Sequence, residues 1–297
     1  MTNANQPCKI CNSFALTILA HTAICNNCGV LLCYPYPEGD DELFVNGIGR
    51  VGTKNNEQIR NQTLNWHLKS GTLNHQNFTR MTLFALSDTD RYKELKVLDY
   101  GGGGGQFALV LKSLFPLSKV QITDISDVKL LDQFRPLNHQ IKFANFKKDE
   151  TKFDIIFMND VFEHVSDPLE VLKTLSNKLA DQDSRIFIDT PRQFWIYPIT
   201  RLFSKKLHIK LLRATVDYDH QQIWSRFSFT HIVGEANLSI VKYLETSQFT
   251  QPGDFYLNNM KITNPLMRLI GKIFYRFAPL IARNKIMAVL KPVPPQP

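Results

Sequence analysis

The chain has 297 residues, 43% hydrophobic, 21% charged and 11% aromatic, a profile that excludes disordered and collagen-like sequences. No apolar run approaches the roughly 20 residues of a membrane-spanning helix, because Leu266 to Leu280 is interrupted by Arg268, Gly271, Lys272, Arg276 and Pro279. The net charge of +8 is uneven: residues 1–191 hold 20 Lys and Arg against 22 Asp and Glu, whereas residues 192–297 hold 15 against 5, which suits either an anionic partner at the last third or a solvated basic face.

All five cysteines, Cys8, Cys11, Cys25, Cys28 and Cys33, fall in the first 33 residues. In a chain expected to stay in the cytoplasm, with no signal peptide, such clustering indicates metal rather than disulfides. Residues 1–38 are read as a zinc-binding module, closed by Tyr34-Pro-Tyr-Pro-Glu-Gly39. Residues 39–90 are read as a linker with Gly47, Gly49 and Gly52, followed by amphipathic helices between Asn55 and Leu86. A core over 91–260 then alternates strand and helix. Strands are expected at Lys96–Tyr100, Lys119–Thr123, Gln140–Phe143, Phe153–Met158, Arg185–Asp189 and Leu238–Leu244, with a last one near Phe255–Leu257. Helices are expected at Gln106–Phe115, from Asp167-Pro168 to about Ala180, and at Phe229–Ala236. That order implies a mostly parallel sheet with helices on both faces. An aromatic and basic insertion, 192–227, is too long for a connection and is expected to cover a site. Residues 261–297 form a basic amphipathic segment and a proline tail. Leu266 to Leu290 carries apolar residues near helical spacing, which suits either packing on the core or contact with a membrane surface.

Three segments carry the chemistry. Asp99-Tyr-Gly101-Gly-Gly103-Gly-Gly105 follows a strand and precedes a helix, where glycine lets the backbone approach a ligand. Glycine at every second position departs from the Gly-x-Gly-x-x-Gly of dehydrogenases. Asp124 ends the second strand, placed to accept hydrogen bonds from ribose hydroxyls. Phe153-Asp-Ile-Ile-Phe-Met-Asn-Asp-Val-Phe-Glu163-His164-Val-Ser-Asp-Pro168 is the third.

Together, in this order, these segments resemble the class I S-adenosylmethionine-dependent methyltransferases over about residues 90–245, with Asp189-Thr-Pro191 and Asp219-His220 continuing the likeness. The resemblance implies a Rossmann-like, seven-stranded, mostly parallel α/β sheet with a small zinc-ribbon-like N-terminal module. It implies that Gly101, Gly103 and Gly105 pass under the methionine and ribose of the cofactor. Asp99 would order the amino end, Asp124 would hold the ribose, Asn145 or Phe146 would flank the adenine, and Met158 and Asn159 would line the site. The zinc module ahead of this core is also similar to that of sugar C-methyltransferases and of surface-glycan methyltransferases.

Cys8-x-x-Cys11, then thirteen residues, then Cys25-x-x-Cys28-Gly29 has the spacing of a closed four-thiolate zinc site, structural rather than catalytic. Cys33 is a buried bystander, and His21 is a weaker candidate ligand. Methyl transfer to a hydroxyl or a carbon acid needs a proton acceptor, for which His164, with Glu163 beside it, and His220 are the candidates. The cofactors expected are S-adenosylmethionine and structural zinc. The acceptor expected is an anionic small molecule or glycan, nucleotide-linked or lipid-linked, methylated on oxygen or carbon. Packing of the C-terminal segment on the core is expected, with peripheral contact at the inner membrane face as the alternative. A zinc-ribbon RNA methyltransferase is the alternative, and a non-catalytic zinc adaptor is another.

Overall fold

A computed structural model describes residues 6–19, 22–36, 75–103, 105–124, 139–142, 146, 148–193, 220–248, 252–259 and 262–294. His21, Asn145, Asp219, the linker at 39–74, most of the insertion and the end of the proline tail lie outside the described residues.

Three short strands open the chain: β1 (Leu16–Leu19), β2 (Thr22–Cys25) and β3 (Leu31–Cys33), paired antiparallel in that order. Helical residues 75–86 lead to β4 (Lys96–Tyr100), α1 (Gln106–Leu114), β5 (Lys119–Asp124) and β6 (His139–Lys142). There follow β7 (Ile155–Asn159), α2 (Pro168–Ser176), β8 (Arg185–Pro191), β9 (Gln222–Ile223), α3 (Arg226–Glu235) and β10 (Leu238–Thr246). The chain ends in α4 (Gly253–Asn259), α5 (Pro265–Ile281) and β11 (Lys285–Pro292).

Among the described residues, seven strands form the main sheet in the order β10-β11-β8-β7-β4-β5-β6. The five from β8 to β6 are parallel, and β11 runs antiparallel to both neighbours. Central parallel strands are covered on both faces. Accordingly Ile155 to Met158 and Ile186 to Thr190 are continuous buried runs. Two apolar clusters lie against the sheet: one contains Phe107, Leu111 and Phe115 of α1, the other Leu172 and Leu175 of α2 with Phe229, Ile232 and Val233 of α3.

Helix starts follow local chemistry. The Asp167 carboxylate accepts from the Glu170 N–H at 2.9 Å, with Pro168 in the first helical turn. Ser225 and Ser228 form a reciprocal cap on α3.

Two expectations are corrected. Phe255–Leu257 lies within helix α4, and the last strand is Lys285–Pro292, drawn from the segment expected to lie outside the core. The amphipathic helix expected to run on to Leu290 stops at Ile281. The five consecutive apolar residues Ile286 to Leu290 are all fully buried, so they satisfy a strand between two neighbours, where a one-sided helix would leave part of them in water.

The cysteine-rich strands are packed into the rest of the chain. β9 extends their sheet, pairing Leu31 with Ile223. Cys8, Cys25, Cys28, Val30 and Tyr34 share an apolar cluster with Phe162, Trp224 and Phe229, and the Phe162 and Trp224 rings stack at 4.7 Å.

Candidate functional site

The C-terminal ends of β4, β5, β7 and β8 share one edge of the sheet. At β4 the chain turns through Gly101, whose N–H donates to the Thr123 carbonyl at 2.7 Å. Gly101 has φ +76°, and a Cβ there would lie 2.4 Å from Val161 Cγ2, so the turn admits no side chain. Gly103 has φ +49° with nothing within 4 Å of a built Cβ, leaving an open cradle over the turn. Its N–H donates to Asp124 Oδ2 at 2.9 Å, which links the first and second strand ends. Gly105 is the N-cap of α1.

Asp99 is 2% exposed, and its Oδ2 has no hydrogen-bond partner among the described residues. Burial, with a smaller contribution from the Asp124 charge, pushes its carboxyl up to about 7. At the end of β7, Met158 is fully buried, and both side-chain polar atoms of Asn159 are buried without hydrogen-bond partners among the described residues. Phe146 is buried against Tyr100 at 5.7 Å, with Lys178 Nζ 5.2 Å from its ring centre. An orphaned carboxylate oxygen, an orphaned amide and an open glycine cradle along one edge fit a polar, elongated ligand.

The segment after β7 brings a second group together. Glu163 is fully buried, its Oε2 accepts from Thr190 Oγ1 at 3.0 Å, and its Oε1 lies 3.7 Å from His164 Nε2. The His164 and His220 rings are 4.9 Å apart, though 56 positions separate them in the chain. Burial first, then the Asp160 charge, pushes the Glu163 carboxyl up to about 8.

A third group escaped the sequence reading. Lys285, on β11, places Nζ 2.6 Å from Asp189 Oδ2 and 2.9 Å from Asp160 Oδ1. Burial alone would lower its pKa, but the two carboxylates raise it, and the ammonium stays charged. Asp189, with no exposed surface, is pushed up to about 7 by burial despite the lysine. Asp160 has φ +51°, and its N–H donates to the Asp189 carbonyl at 2.9 Å. The Asn159-Asp160 pair was the local signal in the sequence, because such a pair is typical of a turn and aspartate tolerates the left-handed conformation seen here.

At the other end, all five cysteines are unbridged. The sulfurs of Cys8, Cys11, Cys25 and Cys28 lie within 4.8 Å of one another, with Cys8–Cys28 at 3.7 Å and Cys11–Cys25 at 3.5 Å. A tetrahedral ion with metal–sulfur bonds of about 2.3 Å needs sulfurs about 3.8 Å apart, so this donor set fits one. Cys33 is buried on β3, away from that group.

A family model described as a methyltransferase domain matches residues 66–243. No curated protein matches. Among solved structures, the chain is similar to coclaurine N-methyltransferase bound to N-methylheliamine and SAH, with 14% identity over 73% of this chain and 72% of that one, at a TM-score of 0.52. It is similar to the plantazolicin methyltransferase BpumL in complex with a triazolic desmethylPZN analog and SAH, with 17% identity over 85% and 95%, at a TM-score of 0.51. Against the mitomycin 7-O-methyltransferase MmcR it is 12% identical over 72% of its length and spans 53% of that chain, at a TM-score of 0.46.

Proposed function

From the premise that the chain belongs to the methyltransferase-domain family and is an S-adenosylmethionine-dependent enzyme, we propose that it methylates an oxygen or carbon of an anionic small molecule or glycan, nucleotide-linked or lipid-linked. The observation that carries this reading is the sheet edge, where the Asp99, Gly103 and Asp124 cradle stands at the ends of β4 and β5, and the segment just after the neighbouring strand β7 holds Glu163 and His164 with His220 beside them.

S-adenosylmethionine supplies an electrophilic methyl on a sulfonium. In this reading Gly101, Gly103 and Gly105 carry the backbone beneath its methionine and ribose, Asp99 meets the amino group, and Asp124 takes the ribose hydroxyls. Phe146 flanks the adenine, while Met158 and Asn159 border the transferring group. The protein's contribution is alignment and exclusion of water. A hydroxyl or carbon acid must also lose a proton, and His164 is the group to take it. Glu163, held by Thr190, stands 3.7 Å from that imidazole, and His220 joins the same compact group. Cys8, Cys11, Cys25 and Cys28 would hold a zinc ion, which with four thiolate ligands would stabilise the module and supply no chemistry to the reaction.

Calorimetric titration with S-adenosylhomocysteine, with Asp124→Ala as the control, tests the cofactor site. Micromolar binding that is lost in the variant is expected; a folded protein with no binding would leave a zinc-bearing adaptor instead. His164→Ala should keep that binding and lose turnover on its acceptor, and unchanged turnover would remove His164 from the mechanism.

A further inference from the structure

Helix α5 is turned inside out. It packs on the protein through its narrow side: Ala278 is fully buried, Tyr275 stacks on Tyr256 at 4.6 Å, and a Cβ on Gly271 would lie 2.4 Å from Leu257 Cδ2. Arg268 and Lys272 pair with Asp254 at 2.7 and 3.0 Å on the same side. The broad side carries Leu266, Leu269, Ile270, Ile273, Phe277 and Leu280, each 52–72% exposed. At 3.6 residues per turn these six fall within a sector of about 100°, over a helix about 25 Å long. An apolar stripe of this width ordinarily faces a core. Here it faces outward.

We propose that α5 docks this protein in the plane of an anionic lipid surface, with its outward apolar face sunk among the acyl chains. The apolar sector contains no charged residue. The cations Arg268, Lys272 and Arg276 lie outside it against the single acid Asp254, and residues 255–297 contain seven Lys and Arg and no acid. Arg276 lies about 20° beyond Leu269 along one flank of the apolar sector, and an apolar face with a cationic flank suits an interfacial helix. A second copy would bring together two C-terminal segments that each hold seven cations and no acid, which opposes self-association. No helix among the described residues is long and apolar enough to cross a membrane, so contact in the plane is the geometry left to this one. The docking does not depend on the methyl-transfer reading. Combined with that reading, it explains how a lipid-linked acceptor is met: α4 and α5 connect Thr246 to Lys285, which are register partners at the sheet edge that carries Asp99 and Asp124.

The test is flotation of the full, zinc-loaded chain with phosphatidylcholine vesicles, with and without phosphatidylglycerol, beside the variant Leu269→Glu/Ile273→Glu/Phe277→Glu. The wild type should float with the mixed vesicles, and the variant should partition at least about tenfold less while melting at the same temperature. Should the triple variant melt lower, Phe277→Glu alone, at an exposed position, is read instead. Wild type left in the soluble fraction, or a variant that floats equally, overturns the proposal. Equal flotation on phosphatidylcholine alone overturns the choice of anionic lipid. A stable dimer that the variant dissolves, without flotation, assigns the face to a second copy and overturns it as well. S-adenosylhomocysteine titration of the same samples separates the two readings, since flotation without binding leaves the docking standing and removes the cofactor assignment.

Discussion

The Ser225 hydroxyl accepts from the Ser228 N–H at 2.9 Å, capping α3, and donates to the Cys28 carbonyl at 2.6 Å. One side chain therefore joins the cysteine module to the helix that follows β9. Gln193 Nε2 donates to the neighbouring Gly29 carbonyl, and Lys9 Nζ to the Ser166 carbonyl at 3.0 Å. Metal loss should consequently be felt well beyond the module.

Stripping zinc with a chelator should release β1 to β3 and expose Trp224, which is fully buried against Phe162. The expected readout is a red-shifted tryptophan emission, absent from Trp224→Phe, with a lower melting temperature. In the loaded protein Ser225→Ala should cost about 1–2 kcal/mol in urea unfolding, from the lost cap and hydrogen bond.

Asp99 gives a pH dependence of defined sign. Its carboxyl is raised from an ordinary 3.8 to about 7, so the folded free protein holds a proton that the unfolded chain has released. Stability should therefore fall as pH rises from about 4 to about 7, and Asp99→Asn should make that slope shallower by one proton's worth, leaving the contributions of the raised Glu163 and Asp189 carboxyls. The cationic amino end of S-adenosylmethionine favours the ionised carboxyl. Affinity in a calorimetric series should rise with pH through about 7 and then level, and the variant should bind weakly without that rise.

Two glycines separate stability from binding. Gly101→Ala should lower stability by about 2 kcal/mol or more, because a positive φ and Val161 both oppose the methyl group. Gly103→Ala meets no neighbour and should cost only about 1 kcal/mol of backbone strain. It should nonetheless weaken S-adenosylhomocysteine binding, since its methyl group enters the cradle. Equal affinity in Gly103→Ala and the wild type would move the cofactor away from the turn.

Lys285→Met should leave Asp189 and Asp160 without their cation and cost about 3–5 kcal/mol in denaturant unfolding. Adding Asp189→Asn should recover part of that loss, because the two side chains are coupled.

Much of this was legible in the chain alone because it depends on local spacing. The paired Cys-x-x-Cys motifs, the glycine turn after Lys96–Tyr100, Asp124 at the end of the next strand and the Asp167-Pro168 helix start each lie within one element and its flanks. Period and capping chemistry act over a few residues, so sequence reports them directly. His164 and His220 could be named separately from their motifs, but not their meeting.

Tertiary structure decided what depends on distant partners. Lys285 is one more cation of a basic tail until β11 inserts between β10 and β8 and sets it against Asp189. Ile286 to Leu290 is compatible with helix or strand by pattern, and the space between two neighbouring strands selects strand. Likewise the repeat in α5 announces an apolar face without saying what that face meets. Local propensity and periodicity are written residue by residue, whereas pairing, burial and the direction of a face arise only when segments far apart in the chain close on one another.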